Sequence, residues 1–347
     1  MSDYDKPPEL YDGLRLHQNE HTRGCSPRVL EALASLRPEQ IGFYPPYSKV
    51  TAACARHLGV DADRLMLVNG LDEGIMAAAL ACVMPAPNQP LREAIVPEPA
   101  FEIFAFDCEV AGGKVVRVAP RPEFEFALDE VLGAISSSTR LVFLTNPNNP
   151  TGVPVPREAI KTIARRLPAG GLVFVDEAYV DFSGDTFIGD LGAFPNVVIG
   201  RTFSKAYGLA GIRIGAMIGA PAALEPMRRL IPVYSVSIAA VTALQAALED
   251  REYIADYLRQ VEESKTLLYA MCDRLGLKYW KSAANFVLVR VGSRAGALVK
   301  DAAARGIYLR DRSKEPGCDG CVRITTGVVE HTTRGLAVVE ELLCAAR

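Results

Sequence analysis

The chain has 347 residues, 49% of them hydrophobic and 23% charged, with a formal net charge of -3. That length exceeds one small core and suits a large domain with a smaller one beside it. The composition excludes a disordered chain, and the slight negative charge excludes a general polyanion-binding surface, so nucleic acid is not an expected partner.

The first residues, Met-Ser-Asp-Tyr-Asp-Lys, are acidic and polar, without the basic start and apolar core of a secretory signal. The longest apolar stretch, residues 75–84, is about half of what a bilayer crossing needs. A cytoplasmic protein without membrane contact is expected.

Short β-branched runs lie at 65–68, 94–96, 114–118, 141–144, 172–175, 197–199 and 214–218. They alternate with helical patterns that include 74–84, 157–167 and a long stretch at 239–275. This alternation predicts the α/β class, a three-layer α/β/α large domain around a mainly parallel seven-stranded sheet. The runs are apolar at nearly every position, so burial on both faces is expected. Past residue 275 the character shifts. Strands near 286–291 and 321–325, with helices at 295–305 and 330–346, predict a smaller α+β domain. The expected division is 1–38 (an arm and helix added to the small domain), 39–245 (the large domain) and 246–347.

The eight cysteines are scattered, and several sit in apolar runs where a thiol behaves as a small hydrophobe. Cys318 and Cys321 form one C-x-x-C without the second pair a structural zinc needs, so the segment reads as a loop. His17, His21, His57 and His331 show no metal spacing and read as structural. No metal is expected.

Ligands of parallel sheets bind beyond the carboxyl ends of the strands. Run 141–144 leads into Thr145-Asn146-Pro147-Asn148-Asn149-Pro150-Thr151-Gly152, run 172–175 into Asp176-Glu177-Ala178-Tyr179, and run 197–199 into Gly200-Arg201-Thr202-Phe203-Ser204-Lys205. An amide, a carboxylate, a phenol and an amine thus emerge at one edge of one sheet. Singly, these pieces read as a turn, a helix cap and a surface charge. Their order and shared location point to chemistry. Run 65–68 leads into Asn69-Gly70-Leu71-Asp72 and a helix start, whose free amides and positive dipole end suit a phosphate. Thr202, Ser204 and Arg213 add two hydroxyls and a fork-shaped cation.

Together these blocks resemble the fold-type I aminotransferases, and within them the histidinol-phosphate aminotransferase branch. The resemblance runs in order from about Leu16 to Gly327 and is most specific at residues 146–152, 176–179, 204–213 and 309–327. It implies pyridoxal 5'-phosphate as cofactor, with Lys205 holding it as a Schiff base and then moving a proton. It implies Asp176 on the pyridine nitrogen, and Asn149 and Tyr179 on the phenolate oxygen. Phe101 stacks on the ring in place of the more usual tyrosine. Gly70, Leu71, Asp72, Thr202, Ser204 and Arg213 hold the phosphate, with Tyr44 reaching it from the second subunit of a homodimer.

For substrate, the resemblance gives Arg323 and Arg310 to anionic groups and brings Asn19 and Glu20 near the pocket. After Glu20 the chain departs from the branch, with His21-Thr22-Arg23-Gly24 where relatives carry an Asn-Pro-Tyr-Gly-type turn. The usual substrate tyrosine has only Tyr11 as a weak counterpart. The implied reaction exchanges the amino groups of L-histidinol phosphate and L-glutamate through their oxo partners. An aromatic aminotransferase or a threonine-phosphate decarboxylase of the same fold is the alternative. A ligand sensor on the same fold would carry an added DNA-binding segment, for which only about 40 residues precede the region.

Overall fold

A computed structural model describes residues 12–85 and 90–345, which leaves Tyr11 outside the described residues. Seven strands form the main sheet in the spatial order Leu65–Val68, Gly215–Gly219, Val197–Thr202, Leu172–Asp176, Thr139–Thr145, Glu93–Pro97 and Lys114–Val118. Only Gly215–Gly219 runs against its neighbours, and every other pairing is parallel. This is the α/β architecture that the alternating runs predict.

The central strands are apolar throughout because both of their faces are covered. Leu141, Phe143, Leu172 and Phe174 pack on one side with Ile75, Ala78 and Phe104 from helices Leu71–Val83 and Ile103–Val110. Val142, Leu144, Val173 and Val175 pack on the other, with Ile160 and Ile163 of Arg157–Arg166 and Leu244 of Ile238–Glu249. Lys114–Val118 departs from the expected double burial. It is the outer strand, and Lys114 and Arg117 stand exposed, paired with Glu93 and Glu98 at 2.8 Å each. Charged side chains on such an edge discourage further strands from pairing.

The expected long helix at 239–275 is two helices, Ile238–Glu249 and Arg251–Leu275. Asp250 breaks it by capping the second one, its carboxylate accepting from Tyr253 N. An apolar period that continues across the break hides such a cap.

A second sheet, antiparallel throughout, has the order Arg310–Asp311, Cys321–Thr325, Phe286–Arg290, Lys278–Tyr279. Cys321 opens a strand here instead of lying in a loop, and with Cys318 it packs against Trp280 and Phe124. All eight cysteines are free. Near the start of the chain, Leu14–Arg15 pairs in parallel with Ile307–Tyr308, and Leu16 O accepts from Thr325 N at 2.9 Å. Leu16 is buried against Gly335, where a Cβ would come within 2.5 Å of its Cδ1. This lashing sets residues 17–20 beside the carboxyl ends of the main sheet. No helix among the described residues is long and apolar enough to cross a membrane.

Phe174 is fully buried, with its ring 5.4 Å from that of Phe143. Phe174→Ala is expected to cost about 3–5 kcal/mol through the cavity it leaves. Urea unfolding should show a lower midpoint with an unchanged slope.

Candidate active site

Three adjacent strand ends build the site, since Thr145, Asp176 and Gly200 are register partners. Backbone pairing continues one step past them, Asn146 N to Asp176 O and Glu177 N to Gly200 O, both at 2.8 Å. The turn that follows Thr145 is closed by its own side chains. Asn148 Oδ1 accepts from Thr151 N and Oγ1 at 3.2 and 2.8 Å, and Asn146 Oδ1 accepts from Val155 N at 2.9 Å. Short amides that mimic backbone acceptors explain the Asn-rich sequence of this turn.

These ends open into a cavity of about 480 Å³, well inside the roughly 300–1,000 Å³ of ordinary small-molecule sites. Every predicted site residue except Gly70 and Tyr44 lines it. Gly70 lies just beneath, with φ +75°, and a Cβ there would fall 2.4 Å from Arg213 Nη2. Glycine is needed at this position both for the backbone and for the guanidinium above it.

Lys205 Nζ donates to Gln18 O at 3.0 Å and lies 5.8 Å from the centre of the Tyr179 ring. Tyr179 Oη accepts from Asn19 Nδ2 at 3.0 Å, which leaves its own proton to donate. Asn19 is fixed from three sides. Its carbonyl oxygen Oδ1 and its backbone N both meet Thr325 Oγ1, at 3.1 and 3.0 Å, and its backbone O accepts from Asn285 Nδ2 at 3.1 Å. Its φ of +56° is a left-handed conformation that asparagine tolerates better than most residues. Glu20 is held by Arg15 at 2.8 Å.

Asp176 is only 4% exposed, and Ala178 N donates to its Oδ1 at 2.9 Å. Burial pushes its carboxyl from 3.8 up to about 7, with Asp72 adding to the shift while Ala178 N and the Lys205 ammonium oppose it. No cation among the described residues forms an ion pair with it. At the other side of the cavity, helix Leu71–Val83 starts under Arg213, whose Nη2 donates to Asp72 Oδ2 at 2.7 Å. Thr202, Ser204 and Phe101 complete this end.

The opposite end is cationic. Arg310 and Arg323 are cross-strand partners, so their side chains leave the sheet on one face. Arg323 donates from Nη1 to Asn149 Oδ1 and from Nη2 to His17 O, and its Nε is buried without an acceptor. Burial, then Arg312 and Arg310, push its guanidinium down to about 9, which leaves it charged at neutral pH. Because Arg323 donates to the Asn149 carbonyl oxygen, the amide is held in one orientation and its NH₂ group has donors to offer a ligand.

Arg15, His17, Gln18, Glu102 and Arg312 also line the cavity and are not among the site residues expected from the sequence. Arg312 carried a usable signal, since it stands two residues after Arg310 and extended chain has a period of two. Gln18 carried none, because its backbone oxygen does the work. His17, expected to be structural, is part of the wall, and burial followed by Arg15, Arg310 and Arg323 holds it neutral with a pKa of about 4. Tyr44 is remote from the cavity. It is 75% exposed and stacks on Tyr234 with ring centres 4.2 Å apart. Among the described residues no group of three His, Cys, Asp or Glu is placed to hold a metal ion.

The family model for aminotransferase class I and II matches residues 11–338. The histidinol-phosphate aminotransferase of Symbiobacterium thermophilum is 34% identical over 349 residues, covering 99% of this chain and 94% of that protein. Histidinol-phosphate aminotransferase 2 of Carboxydothermus hydrogenoformans is 32% identical over 327 residues, covering 92% of this chain and 88% of its own. The crystal structure of histidinol-phosphate aminotransferase from Sinorhizobium meliloti in complex with pyridoxal-5'-phosphate matches with a TM-score of 0.87 at 28% identity, over 97% of this chain and 92% of that one. With the family model matching nearly its whole length, the chain belongs to the class I and II aminotransferases.

Proposed function

We propose that this protein is a pyridoxal-phosphate-dependent aminotransferase of histidine biosynthesis. It converts L-histidinol phosphate and 2-oxoglutarate to imidazole acetol phosphate and L-glutamate. The observation that carries this reading is a single cavity with two charged ends. A buried carboxylate and an amine stand at one, and paired guanidiniums stand at the other.

The residues present fit the cofactor. Asp176 is a buried carboxylate that lacks a cation, and a protonated ring nitrogen supplies one. The cradle at Gly70, Leu71 and Asp72 offers helix-start amides under Arg213, with the hydroxyls of Thr202 and Ser204 beside them. Pyridoxal phosphate, when bound, supplies an aldehyde that condenses with amines and a ring that takes up electrons from the substrate carbon. Lys205 would offer the ε-amine that holds the aldehyde and, once released, would be placed to move a proton at the substrate carbon. Asp176 would keep the ring nitrogen protonated. Asn149 and Tyr179, each with a donor to offer, would hydrogen-bond the phenolate oxygen. Phe101 provides an aromatic wall. Asn19 acts through Tyr179, and Glu20 through its pair with Arg15.

Arg323 and Arg310 take the anionic group of each substrate in turn, the phosphate of the donor and a carboxylate of glutamate. A planar fork recognises both. The active form is a homodimer with shared sites. Exposed Tyr44 lies in an apolar patch with Ile41, Phe43, Val233 and Tyr234, suited to cover by a second copy that receives Tyr44 at its phosphate end. Free thiols throughout support a reducing, cytoplasmic location.

Purified holoenzyme should be yellow, bleach with histidinol phosphate and regain its colour with 2-oxoglutarate. Turnover of phenylalanine equal to that of histidinol phosphate would overturn the substrate assignment. Lys205→Ala should lower turnover by at least about a hundredfold, read in the same assay.

Asp176 gives a second test with a definite sign. A carboxyl raised from 3.8 to about 7 favours the neutral form, so its contribution to stability is full at low pH and is lost as pH rises toward 7. Cofactor-stripped Asp176→Asn should therefore be more stable than stripped wild type at a pH of about 8, by roughly 2–4 kcal/mol, with the gap shrinking toward a pH of about 5. Denaturant unfolding at both pH values reads this, and a gap independent of pH would refute the role of burial.

A further inference from the structure

Arg312 is a charged wall of the cavity that the chemistry above leaves without a task. Its side chain is 6% exposed and ion-paired with Glu315, itself nearly buried. The backbone holds the pair in place. Arg312 N donates to Cys321 O at 2.9 Å, Glu315 N to Arg312 O at 3.0 Å, and Cys318 N to Glu315 O at 2.9 Å. The segment from Arg310 to Cys321 is thereby folded so that Arg310, Arg312 and Arg323 all reach the same cavity.

Two features show that this cluster lacks an anion. At this end Arg15, Arg310, Arg312 and Arg323 line the cavity, against Glu20 paired with Arg15, Glu315 paired with Arg312, and Glu102, so positive charge is in excess. The Nε groups of Arg312 and Arg323 are both buried without an acceptor, and a buried donor of this kind calls for a bound group. A single carboxylate has two oxygens and one charge, which Arg323 and Arg310 serve together. A phosphomonoester has three terminal oxygens and up to two charges, and its further oxygen is left for a third guanidinium.

We propose that Arg312, positioned by Glu315, is a specificity residue for the phosphomonoester of the amino donor and has no part in binding the carboxylate of glutamate. The inference rests on the donor assigned above. It adds a way for one site to favour a phosphorylated amine without losing its carboxylate substrate, because the extra contact is made only by the dianion.

The test follows the two half-reactions of the holoenzyme separately. Arg312→Gln should raise KM for histidinol phosphate at least about tenfold, with KM and kcat for glutamate within about twofold of wild type. Arg312→Lys, which keeps the charge without the fork, should fall between the two. The double variant Arg312→Gln with Glu315→Gln removes both buried charges together and guards against misfolding. It should show the same split. Equal losses on both substrates would mean that Arg312 only supports the segment bearing Arg323, and would overturn the proposal. An unchanged KM for histidinol phosphate would do the same.

Inorganic phosphate separates this inference from the donor assignment. It should inhibit the glutamate half-reaction of wild type at least about fivefold more strongly than that of Arg312→Gln. If wild type ignores histidinol phosphate yet shows this difference, the donor assignment falls and the dianion site stands. Equal inhibition of both proteins overturns the site.

Discussion

A carboxylate at the buried end of a central strand is the constraint on which the rest of the structure depends. Asp176 closes Leu172–Asp176, with neighbours on both sides of the sheet and apolar layers above and below. Raising its pKa from 3.8 to about 7 corresponds to roughly 4 kcal/mol of disfavoured charge. A fold gains nothing from such a residue unless a cation arrives to share the burial. Placing the carboxylate there also fixes what surrounds it. Lys205 comes from the next strand over and Asn149 from the previous one, because parallel strands deliver their following loops to the same edge.

Much of this was legible in the sequence, for a physical reason. Strands covered on both faces must be apolar without alternation, so runs such as 141–144 and 172–175 announce both their conformation and their burial. The same logic explains the misreading of Lys114–Val118. Three valines mimic a buried strand, yet Lys114 and Arg117 mark an edge whose charges are paired with Glu93 and Glu98. The break at Asp250 is hidden in the sequence because a capping aspartate inside a continuing apolar period differs little from a solvent-facing one. The short strands Leu14–Arg15 and Arg310–Asp311 are set by partners remote in sequence, which no local pattern encodes.

The site divides in the same way. Side chains that follow strand ends were found, since position along the chain predicts position in space there. Contacts made by the backbone were not. Gln18 accepts from Lys205 through its main-chain oxygen, and Leu16 reaches Thr325 in the same manner, so the identities of those residues say nothing about the role. Asn19 was found by resemblance, but its work became clear only from its bonds. It orients the Tyr179 hydroxyl and leaves that hydroxyl as a donor. Tyr44 shows the remaining limit, because it stands exposed and away from the cavity, where nothing on one copy of the chain gives it a task.

Arg323 joins the two ends of the cavity. One of its donors holds the Asn149 carbonyl oxygen and another holds the backbone at His17. This cavity guanidinium therefore also decides which face of the Asn149 amide points inward. Losing it would remove a cation and at the same time free the amide to turn. A lysine, with a single ammonium on a flexible stem, has the charge but cannot hold two acceptors in a fixed plane while keeping a third N–H for a ligand. The requirement at position 323 is thus for a rigid planar fork, set by the Asn149 amide and the His17 carbonyl as much as by the open cavity.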